Sequence, residues 1–527
     1  MALSAATARK DEAAGIAPNG PRPPAACSAR STIIALVISL RVAMRTRILA
    51  AATAGVLASS CVTYEPRPID PLRTEALFRA RSLTDPLLAR YVEVNLPGTA
   101  FPSGKLDLDT LTLVGLYEHP DLDVARSRIA VAEAQARTAG ARPNPVVALD
   151  PTYAGNSPAG ISPWILGFVL DLPLETAGKR GLRVAEAKHV TEATRLDLAA
   201  AGWRVRSGVR AALLDHLLAR REVDVLRAEE EVRSRSVGLL EHRLAAGEVS
   251  RPDVDAARTD FASVALAIVS AEGKVALTRA ALASSLGLPA KALEGTDLDW
   301  PELDRLPTEQ NLSPATIQRA GLQNRIDLRR ILAEYAAAES ALELEVAKQY
   351  PDVHLGPGYA YDQGENKFTI GFSLSLPVFN RNEGPIAAAE ARRAEVAARF
   401  LALQAGIIGE TEQALERYRS ALAELDQTQA YAFGIDARTS ALRRALEVGE
   451  EDALALAGAE VQGAVAARAR LDALLKAQAA LGALEDAAQR PLASSTLAPE
   501  PPERSPRELG TVDDAVPNTP SHEGAKR

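Results

Sequence analysis

Two kinds of spacing divide this chain. In Phe368-Thr369-Ile370-Gly371-Phe372-Ser373-Leu374-Ser375-Leu376 every second residue is apolar and the residues between are small or polar. Trp164, Leu166, Phe168, Leu170 and Leu172 alternate in the same way, with Asp171 on the opposite side. Val353, Leu355, Pro357, Tyr359 and Tyr361 alternate against Asp352, His354, Gly356, Gly358 and Ala360. A period of two predicts strands, placed at about residues 146–154, 164–172, 352–361 and 368–376. About nine residues suffice to cross a bilayer at a tilt. The large apolar side is therefore expected to meet lipid and the small polar side to line a lumen. A soluble sheet packed on helices would alternate in the same way and stands as the competing reading.

Between these segments the spacing is helical and long. Residues 181–243 and 385–446 are each read as one helix, and a rise of 1.5 Å per residue makes each roughly 90 to 95 Å long. Leu218, Val225, Val232 and Leu239 recur every seven residues, which suits lateral coiled-coil packing. Breaks at 247–252 and 449–452 precede return helices of about 35 residues. Shorter helical stretches, 109–142 and 313–349, precede the strands.

The two halves repeat one another. At an offset of 206 residues Pro145, Val147, Leu149, Pro151 and Tyr153 match Pro351, Val353, Leu355, Pro357 and Tyr359. At 204 Gly167-Phe168 and Leu172-Pro173 match Gly371-Phe372 and Leu376-Pro377, and at 202 Leu244-x-x-Gly247-Glu248 matches Leu446-x-x-Gly449-Glu450. Repeat 1 is placed at 109–290, a linker at 291–312 and repeat 2 at 313–489. An extended, proline-bearing segment is expected at 61–108 and a Pro-, Ser- and charge-rich tail, disordered, at 490–527. Four strands in two hairpins leave edges that lipid does not tolerate, so closure requires several chains. Three chains give twelve strands; counting alone also admits eight or sixteen.

Close to a fifth of the 527 residues are alanine and only 4% are aromatic, which favours long thin helices over thick cores. The net charge of -8, from 60 basic and 68 acidic residues, is interspersed, and no basic stripe points to nucleic acid. From Met44 the chain reads Met-Arg-Thr-Arg, then an apolar run to Leu57, then Ala58-Ser59-Ser60-Cys61. That is the form of a signal peptide at 44–60, with residues 1–43 as a non-native extension upstream of the true start. Cys61 after small residues resembles a bacterial lipoprotein signal with the thiol as lipidation site, although Leu57 lies one place further away than usual. No later run holds 18 consecutive apolar residues, so no membrane helix is expected after the leader. Export without a helical anchor points to the periplasm or outer membrane.

These features together resemble the TolC-like outer-membrane factor family, over about residues 105–489. The most specific stretch is Gly371-Phe-Ser-Leu-Ser-Leu-Pro377-Val-Phe-Asn-Arg, similar to the family's strand-to-helix signature. Ala141-Arg142-Pro143-Asn144-Pro145 and Leu174-Glu-Thr-Ala-Gly178-Lys179-Arg180-Gly181 resemble its heavy-metal branch, the cobalt-zinc-cadmium type. The resemblance implies a mainly α chain with a small membrane β-barrel, assembled as a homotrimer with a 12-stranded barrel and an α-helical periplasmic tunnel. It implies a periplasmic adaptor (membrane fusion protein) and an inner-membrane pump of the resistance-nodulation-division type as partners, beside outer-membrane lipid. The implied role is passive export of substrate, divalent heavy-metal cations first, with drug efflux or type I secretion as the alternative. A periplasmic coiled-coil adaptor or structural rod is the more distant one.

The same resemblance places the candidate sites. Ala246-Gly247 and Val448-Gly449 align with adaptor-docking tips, flanked by Arg243 and Arg444, although glycine suits a plain helical hairpin equally. The family's pore-closing aspartates fall here on Ala455 and Gly458, a departure. Asp253, Glu450, Glu451 and Asp452 are the substitute constriction candidates. A threefold ring of the last three would favour cations and resist full ionisation; an acidic start complementing the helix dipole is the competing reading. Pro173, Lys179, Arg180 and Pro377 mark the barrel-to-tunnel junction, where the two cations are expected to face lipid headgroups or tunnel water, or a plain solvated turn. Gly178-Lys179-Arg180 is no phosphate loop: its first glycine would fall at Pro173, and Arg180 stands where Ser or Thr belongs. His119, His189, His216, His242, His354 and His522 are scattered without an i, i+4 pair. No metal site, cofactor or enzyme active site is expected.

Overall fold

The computed structural model describes residues 64–158, 160–308, 312–492 and 501. The expected leader, Cys61 and nearly all of the C-terminal tail lie outside the described residues. The chain divides into a unit ending at Pro71 and one beginning at Leu72; the architecture below is that of the second.

The expected extended segment 61–108 is instead partly helical, with α1 (Pro71–Arg79) and α2 (Pro86–Asn95). The prolines misled because proline at the first helical turn gives up an amide that has no intrahelical partner anyway. Asp85 completes the second start by accepting the Leu87 amide at 2.9 Å. The stretch after it divides into α3 (Leu108–Glu118) and α4 (Pro120–Ala139), broken at Pro120.

Strands β1 (Val146–Leu149), β2 (Thr152–Tyr153) and β3 (Trp164–Leu174) follow. The first expected strand is interrupted at Asp150-Pro151, where proline offers no ladder amide. Next come α5 (Lys179–Ala246) and its return helix α6 (Arg251–Leu286). The second half runs α7 (Pro314–Asn324), α8 (Ile326–Ala347), β4 (Val353–Asp362), β5 (Glu365–Leu374), α9 (Glu383–Glu447) and α10 (Ala453–Ala488). With 68 and 65 residues, α5 and α9 are each about 100 Å long.

Near its start α5 packs on α4 and α8, with ion pairs Arg195–Glu133 at 3.1 Å and Arg330–Asp197 at 3.7 Å. Further along its partners are α6 and α10, joined by Arg227–Glu272 at 2.7 Å and Arg235–Glu460 at 2.7 Å. The core sits where the partners change. Leu111, Val114 and Leu116 of α3 meet Val209, Leu213 and Leu214 of α5, Leu282 and Leu286 of α6, and Leu474 and Ala477 of α10. Gly115 permits this approach, since a Cβ there would lie 2.9 Å from Val205 Cγ1.

Much of the expected linker 291–312 contributes to this core. Leu293, Leu298, Trp300 and Leu303 are buried in it, and Leu298 forms a parallel bridge to Leu106. Its polar residues masked that apolar set. α6 is also long and apolar enough to cross a membrane by length and composition, although polar residues interrupt its apolar run. One side of it closes on α5 through Val264, Ile268 and Ala271; Leu266, Val269 and Leu277 face outward.

Candidate functional site

The sheet concentrates chemistry by face. Its order is β1-β3-β4-β5, all antiparallel, with β2 also on β3. The register sets Leu149 against Phe168, Phe168 against Tyr359 and Tyr359 against Phe368. One face is therefore a continuous apolar band, and at its edge Phe368, Ile370 and Phe372 are 81%, 87% and 81% exposed. The other face carries Gly167 against Ala360, Gly356 against Gly371 and Gly358 against Thr369. A Cβ on Gly358 would stand 2.7 Å from Thr369 Oγ1 and 3.1 Å from the Phe168 carbonyl oxygen. At Gly358 the small face has no room for a side chain.

Among the described residues the sheet is open, and the outer edges of β1 and β5 have no strand partner. Backbone donors and acceptors along both edges are left to be satisfied from outside the chain.

On the small face His354 Nδ1 lies 3.0 Å from Asp171 Oδ1. The residues are 183 apart in sequence, so no local motif announced the pair. Among the described residues no group of three or more His, Cys, Asp or Glu side chains is arranged for a metal ion.

At the junction the structure separates the two cations expected to act alike. Lys179 is buried; its Nζ donates to Asp352 Oδ1 at 2.8 Å and to the Tyr350 carbonyl at 2.6 Å. Asp352 also accepts the Thr176 amide at 2.9 Å. Lys179 thus pins the start of α5 to the approach to β4, facing neither lipid nor water, because a buried ammonium requires a counter-charge. Arg180 is exposed and donates through Nε to the Gly140 carbonyl at 2.6 Å. Pro173, within β3, pairs in register with His354, and Pro377 lies in the loop between β5 and α9.

Both helical tips close in the same way. Gly247 and Gly449 adopt φ of 78° and 75°. Gly247 donates to the Leu244 carbonyl and Glu248 to that of Arg243, while Gly449 donates to Leu446 and Glu450 to Ala445, at 2.9 to 3.1 Å. These are paired left-handed terminations for which glycine carries no Cβ penalty. Ala246, Val448, Glu450 and Glu451 are exposed beside them.

Two of the four constriction candidates are otherwise engaged. Asp253 accepts from the amide and hydroxyl of Ser250 at 3.0 and 2.5 Å, capping α6. Asp452 accepts the Leu454 amide at 3.1 Å as the cap of α10 and takes Arg243 Nη2 at 2.5 Å. The Leu454 amide first, then Arg243, hold its carboxyl below the usual range. Arg243 is correspondingly turned to Asp452, not free as a flank of a docking surface.

The Arg243–Asp452 pair is the lowest rung of a ladder between α5 and α10. Above it come Arg235–Glu460 at 2.7 Å and Glu229–Arg468 at 3.6 Å. Successive rungs lie about two helical turns apart. Inside the α5/α6 hairpin ion pairs such as Arg227–Glu272 and Lys274–Glu222 flank an apolar seam of Val223, Leu226, Val264 and Ile268. Nearer the middle of α5, two buried arginines share one buried acid: Arg206 Nη1 and Arg210 Nε lie 3.2 and 3.4 Å from Glu485 Oε2. Arg210 also donates to the Gln478 carbonyl at 2.9 Å and stacks over Trp300. Burial lowers its pKa from the usual guanidinium value, with Glu485 opposing. A Cβ on Gly482 would lie 2.3 Å from Arg210 Nη1, so that glycine makes room for the guanidinium.

An open sheet with an exposed apolar band, set on hairpins of helices about 100 Å long, is an architecture shared with solved outer-membrane proteins. Residues 115–288 match the family described as Outer membrane efflux protein. That stretch holds β1 to β3, α5 and α6, and it is the part of the chain over which the likeness to this family is shown. It is similar to the cobalt-zinc-cadmium resistance protein CzcC of Cupriavidus metallidurans, 27% identical over 217 residues, 41% of this chain and 50% of the relative. It is also similar to the pyoverdine export outer membrane protein OpmQ of Pseudomonas aeruginosa, 25% identical over 305 residues, covering 53% of this chain and 62% of the relative. The chain thus spans about half to three fifths of the length of these curated relatives. The crystal structure of the outer membrane protein VceC from Vibrio cholerae shares the fold, with a TM-score of 0.58 at 21% identity over 72% of this chain and 95% of that one.

Proposed function

We propose that this protein is the outer-membrane channel of a tripartite efflux system, a passive conduit across outer membrane and periplasm. Three copies joined edge to edge give a twelve-stranded barrel with the apolar band outside and the glycine-rich face inside. The helical hairpins continue it as a tunnel whose tips meet a periplasmic adaptor fed by an inner-membrane pump. The observation that carries this reading is the sheet: its apolar face is exposed and both its edges are open, a state that lipid excludes unless further copies close the ring. The channel requires no catalytic group.

For cargo we propose divalent heavy-metal cations, in keeping with the printed name of the relative CzcC; a siderophore, in keeping with the name of OpmQ, is the second reading. The two-repeat plan, residues 109–290 and 313–489, and acylation of Cys61 belong to this proposal. The decisive measurement is on purified full-length protein. It should migrate as a trimer that collapses to monomer on heating in detergent, and conduct ions in planar bilayers. Monomeric, non-conducting protein rejects the channel. Growth of a deletion strain on cobalt, zinc and cadmium, restored by this gene, tests the cargo; restored siderophore export without metal resistance rejects it.

A further inference from the structure

The two loops that lead from sheet to long helix differ. After β3, Glu175 pairs with Arg183 and Thr176 and Lys179 turn in to Asp352. After β5, at the offset of 204 residues, Phe379 stands where Glu175 stands in the first half. Phe379 is fully exposed, and Leu376 and Val378 are 68% and 66% exposed. The loop is nevertheless held in shape. The Asn382 amide donates to Asn380 Oδ1 at 2.8 Å, and Asn382 Nδ2 donates to the Glu345 carbonyl at 2.7 Å. An ordered loop that presents a bare phenylalanine needs a cover.

The topology says where that cover comes from. β5 ends, and β1 begins, at the helical end of the sheet: Val146 is level with Asp171, Leu172 with Leu355, and Leu355 with Phe372. The strands alternate in direction from β1 through β3 and β4 to β5, so a second copy's β1 continues the alternation beside β5. The loop that follows β5 then lies next to the segment that precedes β1, residues 141–145. That segment is exposed throughout and proline-rich, Ala141-Arg142-Pro143-Asn144-Pro145. It too is held in place, since Arg180 binds the Gly140 carbonyl just before it.

We propose that Phe379, with Leu376 and Val378, seats on residues 141–145 of the neighbouring copy, locking copy to copy just below the sheet. This rests on the ring of copies proposed above and adds the contact that joins them. A rigid aromatic ring against proline loses little side-chain entropy, and both surfaces are formed before they meet. In the absence of a second copy the apolar loop is left to water or lipid.

Cross-linking of the full-length channel tests this. The double variant Phe379→Cys with Pro143→Cys, oxidised in detergent, should give disulfide-linked species up to a covalent trimer, removed by reductant. The two single variants, which retain the native cysteines, should give none and serve as controls for folding. If the double variant runs as a heat-sensitive trimer without cross-links, the contact is rejected while the channel stands; if even the unsubstituted protein forms no trimer, the channel fails with it. A second readout separates lipid from protein as the cover. Trp at position 379, introduced as Phe379→Trp, should be quenched by nitroxide-labelled lipid no more than the parent; a several-fold increase assigns the loop to the membrane and overturns the proposal.

Discussion

Asp452 does two separable jobs at the tip, and substitutions that remove one job at a time give an ordering. As helix cap its side chain accepts the Leu454 amide, a role in which replacement by alanine costs typically about 1 kcal/mol. As partner of Arg243 it is 39% exposed against 35% for the arginine, so the pair is discounted to about 0.5 kcal/mol. Asp452→Ala then loses about 1.5 kcal/mol, roughly a tenfold increase in the open or frayed tip per chain. Arg243→Ala loses this pair and a long, exposed one to Glu248 at 3.9 Å, together about 0.5 kcal/mol, a little over twofold. Asp452→Asn keeps the cap, since asparagine caps as well as aspartate, and should match Arg243→Ala. Hydrogen exchange of the amides at 448–456 reads the local opening, and conductance in planar bilayers reads it in the assembled channel. An Asn variant as severe as the Ala variant, or an Arg243→Ala effect larger than that of Asp452→Ala, would refute the division of labour. The pH response has a definite sign. The carboxyl is held below its ordinary value of 3.8, so its contribution is complete above that value and is lost as pH falls through the lowered one. Between pH 7 and 5 the tip should not change from this cause.

Three further outcomes follow from the geometry. Glu485→Leu strands the buried guanidiniums of Arg206 and Arg210 and should destabilise the chain by about 3 to 5 kcal/mol in thermal or denaturant unfolding, with part of the loss recovered when Arg206→Met is added. Lys179→Met should leave Asp352 without its cation and lower the unfolding temperature, whereas Arg180→Met, removing an exposed hydrogen bond, should change it little. Because Asp452 is occupied by Arg243, Glu450→Gln with Glu451→Gln should account for nearly all loss of cation preference in bilayer recordings attributable to the acidic tip; an unchanged preference removes these residues from the ion path.

Much of the plan was legible because it is periodic. Alternation in 368–376 can be read without partners, since a strand's two faces are set by its own pleat, and β5 occupies Glu365–Leu374. The glycines at 247 and 449 marked chain reversals because left-handed backbone is cheap only there. What stayed hidden depends on residues far apart. Nothing near Lys179 announces that Asp352 will bury it, and nothing near Asp452 announces Arg243. Pro71 and Pro86 suit extended chain, yet proline is equally a helix starter. The segment 291–312 reads as linker because polar residues interrupt its apolar ones, while the burial of those is set by surfaces on other helices.

The shared acid at position 485 has a bearing on biogenesis. Arg206 waits 279 residues for its carboxylate, and until the last helix arrives two cations in the middle of the first half have no place to hide. A fragment ending after the first hairpin would therefore be expected to stay open to chaperones and proteases. The second half acts as its folding partner, and the chain is expected to reach its native state only once its far end is present.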